Sequence, residues 1–124
     1  MGKWRDGTGR LTVPGRDGAV PVEVAVEVAA SSRTRRRGLL GRDGVAGILM
    51  ITPCNSVHTF RMRFPIDVAY LTKDLTVLDV TTMKPGRMGR VSLRARHVLE
   101  AEAGAMEAWG VRKGVRVGIE ATGA

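Results

Sequence analysis

The sequence PCNSVHTFRMRFPIDVAYL, residues 53–71, contains the only cysteine of the chain, one of its two histidines and the pattern on which the fold prediction depends. Residues 57–64 alternate between two kinds of side chain, and this period of two predicts a strand with one core face and one water face. A three-residue loop at 63–65 would fold this strand back on residues 66–71 as a β-hairpin. The predicted core face consists of His58, Phe60, Met62 and Phe64.

The hairpin register places Arg61 opposite Asp67 and His58 opposite Tyr70. Opposite charges in such a pair stabilise a hairpin by about 0.2–1 kcal/mol. A register shifted by one residue would send the apolar side chains to the wet face. We therefore expect an Arg61–Asp67 ion pair and a polar binding site at the hairpin. Its candidate residues are Cys54, His58, Arg61, Asp67 and Tyr70.

Turn-forming residues separate further short strands on both sides of the hairpin. The clearest strand is residues 20–28, in which valine occupies every even position. Ser31 or Ser32 can cap a short helix, and Gly110 can end a second one near residues 103–109. The prediction is a mainly β (α+β) fold, a compact β-barrel-like domain of seven or eight short strands with one or two short helices. The other predicted strands cover residues 11–13, 47–52, 76–83, 96–101 and 116–121.

Length and composition set limits on the class of protein. With 124 residues, of which 44% are hydrophobic, the chain can bury a real core. Residues 1–9 are predicted to be a flexible N-terminal segment and residues 10–124 a single β-rich domain. One cysteine excludes an internal disulfide, and no window approaches the ~20 apolar residues that cross a bilayer. We expect a cytoplasmic monomer without a transmembrane segment.

The chain is strongly basic, with 20 Lys and Arg against 12 Asp and Glu and a formal charge of +8. Such a charge favours association with polyanions, including nucleic acid, although arginine content often follows genomic base composition instead. Arg33, Arg36 and Arg37, with Arg35 between them, surround a predicted helix start whose free N–H groups attract anions. They are the candidate anion-binding residues, although a solvated helix face is the commoner interpretation. A second basic set follows at Lys84, Arg87, Arg90, Arg94 and Arg96.

The residues that could carry chemistry are few. Cys54 and His58 could form a nucleophile and base with Asp67 as the orienting group, although a buried thiol is the commoner arrangement. Cys54, His58 and His97 are too few for a structural zinc site, which takes four Cys or His ligands. A three-ligand catalytic site that includes Asp67 or Glu100 is the less favoured alternative that these residue types leave open. His97 is expected at the start of a strand, facing water. No glycine-rich nucleotide-binding loop is present, so we expect neither a metal nor a cofactor.

Five segments in order resemble the family of domain of unknown function 192 (DUF-192). They are residues 35–42, 47–50, 56–68, 98–101 with Gly104, and 114–117, which together span about residues 20–121. The resemblance implies a compact β-barrel-like domain with short helices. It implies no activity, cofactor or catalytic residue.

The leading hypothesis is a non-enzymatic small binding or accessory domain, with a small ligand or protein partner docking near residues 53–71. Polar groups are concentrated there without a complete catalytic set. The alternatives are a Cys/His-dependent hydrolase or transferase, and an electrostatic nucleic-acid binder.

Overall fold

The structure, a computed structural model, describes residues 4–122. These residues form seven strands and two short helices, and all seven strands belong to one sheet in the order β5-β4-β6-β3-β2-β1-β7. The predicted mainly β fold with short helices is confirmed. The elements are β1 (Gly7–Val13), β2 (Val22–Ala29), α1 (Ser32–Arg37), β3 (Ile48–Ile51), β4 (Ile66–Leu71), β5 (Val77–Met83), β6 (His97–Glu102), α2 (Ala105–Trp109) and β7 (Gly118–Ala121).

The sheet is not closed, so the barrel description applies only loosely. Its edge strands, β5 and β7, approach each other at one corner. There Val77 N–H donates to Val115 O at 2.8 Å and Val117 N–H donates to Leu75 O at 3.0 Å. These bonds join the segment before β7 to the start of β5, and the sheet curls without completing a barrel.

Both faces of the sheet are covered, which explains why every residue of β4 is buried. One core packs beneath α2, where Met106 is fully buried. The other core packs beneath Leu39, which follows α1, and beneath Val57 of the loop after β3. Because side chains alternate along a strand, neighbouring residues of β4 and β6 belong to different faces. This alternation decides which polar side chains can meet.

The hairpin predicted around Phe64 is wrong. β4 pairs with β5 on one side and with β6 on the other, so it has no free edge for residues 57–64. Only His58 makes a ladder contact, an isolated bridge to Met88. The predicted parity is reversed at residues 57–60, since Thr59 is buried whereas Phe60 is exposed. At residues 61–64 it holds, because Met62 and Phe64 pack against the core. Residues 57–64 form a loop that bonds to the loop after β5.

The predicted helix ends are confirmed. Ser31 caps α1, because its Oγ accepts a hydrogen bond from the Thr34 N–H at 3.3 Å. Gly110, in the left-handed region at φ 82°, ends α2 and donates its N–H back to the last turn. Neither helix of residues 4–122 is long and apolar enough to cross a membrane.

Residues 4–9, part of the segment expected to be flexible, make contacts with the rest of the chain. Residues 7–9 lie in β1, since that strand pairs with both β2 and β7. The Trp4 ring contacts the His97 ring edge-on, with centroids 5.7 Å apart. Residues 1–3 lie outside the described residues. The division of the chain into a flexible segment and a single domain stays a prediction.

His97 was expected to face water, and that expectation is wrong. Its side chain is buried on the face of the sheet that α2 covers, and its Nδ1 shares a hydrogen bond with the Thr52 hydroxyl at 2.7 Å. Burial lowers the pKa of this imidazole. His97 therefore has a structural explanation.

Candidate functional site

A cleft of about 630 Å³ lies between α1 and the loop after β3, with β6 beneath it. It forms on the sheet face that carries Val68 and Tyr70. Its polar and charged lining residues are Ser32, Arg35, Arg36, Arg37, Cys54, Ser56, His58 and Glu100, and its apolar lining includes Leu39, Ile51, Val57 and Met62.

Arg35 is the half-buried cation of the cleft. Its two terminal nitrogens donate long hydrogen bonds, one to Pro53 O at 3.3 Å and one to Ser32 Oγ at 3.4 Å. Its Nε is buried and has no hydrogen-bond partner. A buried donor without a partner costs about 1–3 kcal/mol, so this guanidinium can favourably donate a further hydrogen bond to an oxygen acceptor.

Glu100 is the only acidic residue that lines the cleft. On β6 it lies between Leu49 and Val68 of the two neighbouring strands, and only 5% of its surface is exposed. Its carboxyl makes no hydrogen bond within residues 4–122. Desolvation alone raises the pKa of this group to about 7. Glu100 is therefore a mixture of acid and carboxylate near neutral pH.

The carboxyl of Glu100 extends towards the end of α1. A Cβ placed on Gly38 would lie 4.0 Å from Glu100 Oε1. Gly38 has φ 48°, which side chains rarely adopt, so a glycine suits the position where α1 ends. The last turn of α1 and the side chain of Glu100 therefore line the same cavity.

The cleft is cationic. Arg35, Arg36 and Arg37 all line it, whereas Glu100 is partly neutral. The four ion pairs among the described residues involve other arginines, namely Arg10, Arg42, Arg63 and Arg90. An anionic ligand would find three guanidinium groups without an ion-pair partner in residues 4–122.

Cys54 and His58 both line the cleft, but they do not form a nucleophile and base pair. The Cys54 thiol donates to Ser56 O at 3.1 Å. His58 Nδ1 accepts the Phe60 N–H at 3.3 Å, and its ring stacks on Phe60. Burial raises the pKa of Cys54, and the Glu100 charge raises it further. A nucleophilic cysteine needs the opposite shift.

The expected Arg61–Asp67 ion pair does not form. Asp67 faces the other core, where its carboxylate accepts from the Thr82 hydroxyl at 2.6 Å and from the N–H groups of Gly104 and Met106 at 2.9 and 3.1 Å. Arg61 is exposed in a turn at φ 64°. The prediction failed because the hairpin is absent and β4 directs Asp67 away from the loop. Asp67 instead anchors α2.

Tyr70 does not line the cleft and is not opposite His58. It is fully buried on β4, and its hydroxyl donates to Arg90 O at 3.1 Å. The Arg90 guanidinium lies 6.0 Å from the Tyr70 ring centroid. Tyr70 therefore holds the loop after β5 through this hydrogen bond. Its position does not support a role in binding a ligand of the cleft.

Of the candidate anion-binding residues, Arg36 and Arg37 line the cleft and Arg33 does not. Asp6 lies beside the helix start, where its Oδ1 accepts from Ala30 N–H at 2.7 Å and Ser31 N–H at 2.9 Å, two groups that precede the first helical residue. These bonds lower the pKa of Asp6. Anion binding by the free N–H groups of the helix start stays a prediction.

Sequence reasoning missed that Arg35 and Glu100 line the same cleft. Arg35 was one member of an arginine run, and Glu100 was considered only as a possible metal ligand. The available signal was a glutamate within the apolar run Val98–Ala101. Within residues 4–122, no group of three His, Cys, Asp or Glu side chains could hold a metal ion.

The sequence profile of the DUF192 family, described as "Uncharacterized ACR", matches residues 13–119. The chain belongs to the DUF192 family. It is 34% identical over 90 residues to the UPF0127 protein of Pyrococcus horikoshii, covering 68% of this chain and 78% of that protein. It is 31% identical over 104 residues to the UPF0127 protein of Pyrococcus abyssi, covering 80% and 89%.

Two solved structures share the fold of this DUF192 chain. One is a candidate transcription regulator from Sinorhizobium meliloti, with a TM-score of 0.80, 18% identity, and coverage of 94% of this chain and 97% of that chain. The other is a protein of unknown function from Novosphingobium aromaticivorans, with a TM-score of 0.75, 19% identity, and coverage of 88% and 83%. At these identities the likeness concerns the fold alone.

Proposed function

We propose that this chain is a non-enzymatic binding domain whose cleft, bounded by α1 and β6, takes a small organic anion that also carries a hydroxyl or ammonium group. Arg35, Arg36 and Arg37 supply the charge for the anionic group. Glu100 supplies the acceptor for the donor group. This places the ligand beside the loop after β3.

The observation that carries the proposal is a contrast among the buried polar side chains. The described residues include five of them, namely Thr52, Thr59, Asp67, His97 and Glu100. Four make side-chain hydrogen bonds within the fold. Glu100 makes none, and it lines the same cleft as Arg35, whose buried Nε has no partner. Buried polar groups are nearly always satisfied by protein or water, so an unpartnered carboxyl beside a cavity is a group to which a ligand donor can bind favourably.

The chemistry of these two groups defines the ligand class. A guanidinium presents N–H donors in a planar fork that matches a carboxylate or phosphate. A carboxyl in apolar surroundings gains most from a hydroxyl or ammonium donor, because it is otherwise desolvated without compensation. The apolar walls at Leu39, Ile51 and Met62 would contact the carbon skeleton between these ends.

Backbone NMR with a fragment library of organic anions, cations and neutral compounds tests the proposal. We expect the ligands that shift the amides of Gly38, Cys54 and Ser56 to be anions. Glycerol 3-phosphate should bind more tightly than glycerol or inorganic phosphate alone, since only it joins a charged phosphate to alcohol groups through a carbon skeleton. Cleft ligands that are mainly cations, or a library without any cleft ligand, would contradict the proposal.

Two pairs of variants separate the cleft from general electrostatics. Arg35→Gln should weaken anion binding about tenfold or more, as expected for a lost charge-assisted hydrogen bond. Arg33→Gln removes the same charge from the same helix outside the cleft and should change little. Glu100→Gln is matched by Glu102→Gln, an exposed position on the same strand. If the two variants of either pair changed the ligand affinity equally, the cleft would not be the binding site.

A further inference from the structure

Two loops on this face of the sheet form a single surface, which we call the loop platform (residues 53–65 and 84–96). Backbone hydrogen bonds join them along their length. They run from Cys54 N–H to Arg96 O at 2.9 Å, Ser92 N–H to Asn55 O at 2.9 Å, Gly89 N–H to Val57 O at 2.9 Å, Thr59 N–H to Arg87 O at 2.8 Å and Gly86 N–H to Thr59 O at 2.7 Å. The buried Thr59 hydroxyl adds a bond to Lys84 O at 2.6 Å. These hydrogen bonds therefore hold the two loops together as one unit.

The platform concentrates the exposed apolar side chains of the molecule. Six large hydrophobic side chains are exposed in residues 4–122, and four of them lie on the platform. Leu93 is 90% exposed, Met88 69%, Val91 60% and Phe60 43%. Scattered exposed apolar residues need no explanation, but a cluster on one surface indicates an interaction site.

The platform is also uniformly basic. Its two segments contain seven Lys and Arg and no Asp or Glu. Two of the seven pair with carboxylates elsewhere, Arg63 with Asp43 and Arg90 with Asp79. The other five have no ion pair in the described part of the chain. They are Arg61, Lys84, Arg87, Arg94 and Arg96.

We propose that the loop platform docks onto a membrane surface rich in anionic phospholipid, with Met88, Val91 and Leu93 entering the headgroup region and the neighbouring arginines contacting lipid phosphates. Residues 53, 54, 56–58 and 62 of the platform border the cleft, but the proposed lipid contacts Met88, Val91 and Leu93 do not line it. Membrane docking requires no spanning segment, since aliphatic side chains and cations on one surface are sufficient for interfacial binding.

The arrangement of the side chains favours lipid over a protein or nucleic acid. Along residues 87–94 arginines and apolar residues are interleaved, in the order Arg-Met-Gly-Arg-Val-Ser-Leu-Arg. Protein interfaces instead place charged residues around an apolar centre. Single-stranded nucleic acids stack their bases on aromatic rings, whereas three of the four exposed apolar residues here are not aromatic. Phe60 stacks on His58, with ring centroids 4.9 Å apart.

Vesicle flotation of the full chain tests the proposal. We expect binding to vesicles of phosphatidylcholine with phosphatidylglycerol and none to phosphatidylcholine alone. Replacing both Val91 and Leu93 with Ser should lower the partition coefficient roughly tenfold or more, because two apolar contacts are lost. Arg87→Gln should lower it about fivefold, as expected for one charge near an anionic surface.

Matched controls lie elsewhere on the surface. Val20→Ser changes an equally exposed aliphatic residue, and Arg112→Gln changes an exposed arginine, both outside the platform. Both control variants should bind vesicles like the wild type. Circular dichroism should show that all of these variants are folded, since every replaced side chain is exposed.

Three results would overturn the proposal. The first is no binding to anionic vesicles at low salt. The second is binding that the Val91 and Leu93 replacements leave unchanged, which would mean adsorption by charge alone. The third is tighter binding to a short oligonucleotide that competes with vesicles and depends on Arg87 but not on Leu93, which would assign the platform to nucleic acid.

Discussion

Replacing Glu100 with Gln should change how the stability of the fold depends on pH. The pKa of Glu100 is about 7 in the folded chain and 4.5 in the reference state. Between these values the folded protein holds a proton that the unfolded chain has lost, so wild-type stability falls as pH rises. One pKa unit corresponds to about 1.36 kcal/mol, so the total loss is about 3 kcal/mol.

The glutamine side chain has nearly the same shape but stays neutral at every pH. Glu100→Gln and the wild type should therefore have similar free energies of unfolding at about pH 4.5, where the wild-type carboxyl is protonated. At about pH 8 the variant should be more stable by up to ~3 kcal/mol, because only the wild type then keeps a buried charge. The exposed Glu102→Gln variant should show neither effect.

Urea unfolding at several pH values measures this difference. The pKa of His97 is lowered by burial, and by itself this makes stability rise with pH up to about its reference value of 6.5. His97 is present in both proteins, so subtracting the two curves removes its contribution. A Glu100→Gln variant with the wild-type pH profile, or one less stable than wild type at about pH 8, would refute the reasoning.

Two further predictions concern Asp67 and Cys54. Asp67→Asn should lower the free energy of unfolding by about 1–3 kcal/mol, because an amide cannot accept all three hydrogen bonds that the carboxylate accepts. Urea unfolding measures this loss, and Glu107→Gln on the exposed side of α2 is the control. Cys54 should react with iodoacetamide at neutral pH more slowly than a free cysteine peptide, and faster in Glu100→Gln, because burial and the Glu100 charge raise its pKa. Alkylation as fast as in the free peptide would instead support a Cys/His-dependent enzyme.

The strands that could be predicted from sequence are those whose signal is local. β2 shows valine at alternate positions, and the structure places Val24, Val26 and Val28 in the core. Ser31 caps α1, and Gly110 ends α2, as their residue types indicate. In each case the physical cause lies within a few residues of the signal.

The hairpin failed because alternation identifies a strand but not its neighbours. Residues 57–64 alternate, yet β4 already pairs with β5 and β6. β6 is about thirty residues away from β4 in sequence, and nothing in residues 53–71 indicates that it takes this edge. The backbone groups of this loop, including those of Thr59, form hydrogen bonds with the loop after β5 instead. Sheet order was therefore the missing information.

The residues that line the cleft could be predicted only in part for a related reason, since they come from three elements. Cys54 and His58 were found because they are rare residue types that stand close together. Glu100 was missed because a charged residue between apolar ones is usual on the wet side of a strand. Only the covering of that side by α1 and the loop after β3 makes it a buried group.

The opposite expectations for Asp67 and Glu100 distinguish a structural carboxylate from one kept for binding. Removing the charge of Asp67 should destabilise the fold, since an amide keeps only one oxygen acceptor for three donors and none of its bonds is charge-assisted. Removing the charge of Glu100 should stabilise the fold above its pKa, since no bond is lost and a desolvated charge disappears. A group that lowers stability is commonly retained for function. Stability gained and anion binding lost in the same Glu100→Gln variant would therefore indicate that the cleft is maintained for its ligand.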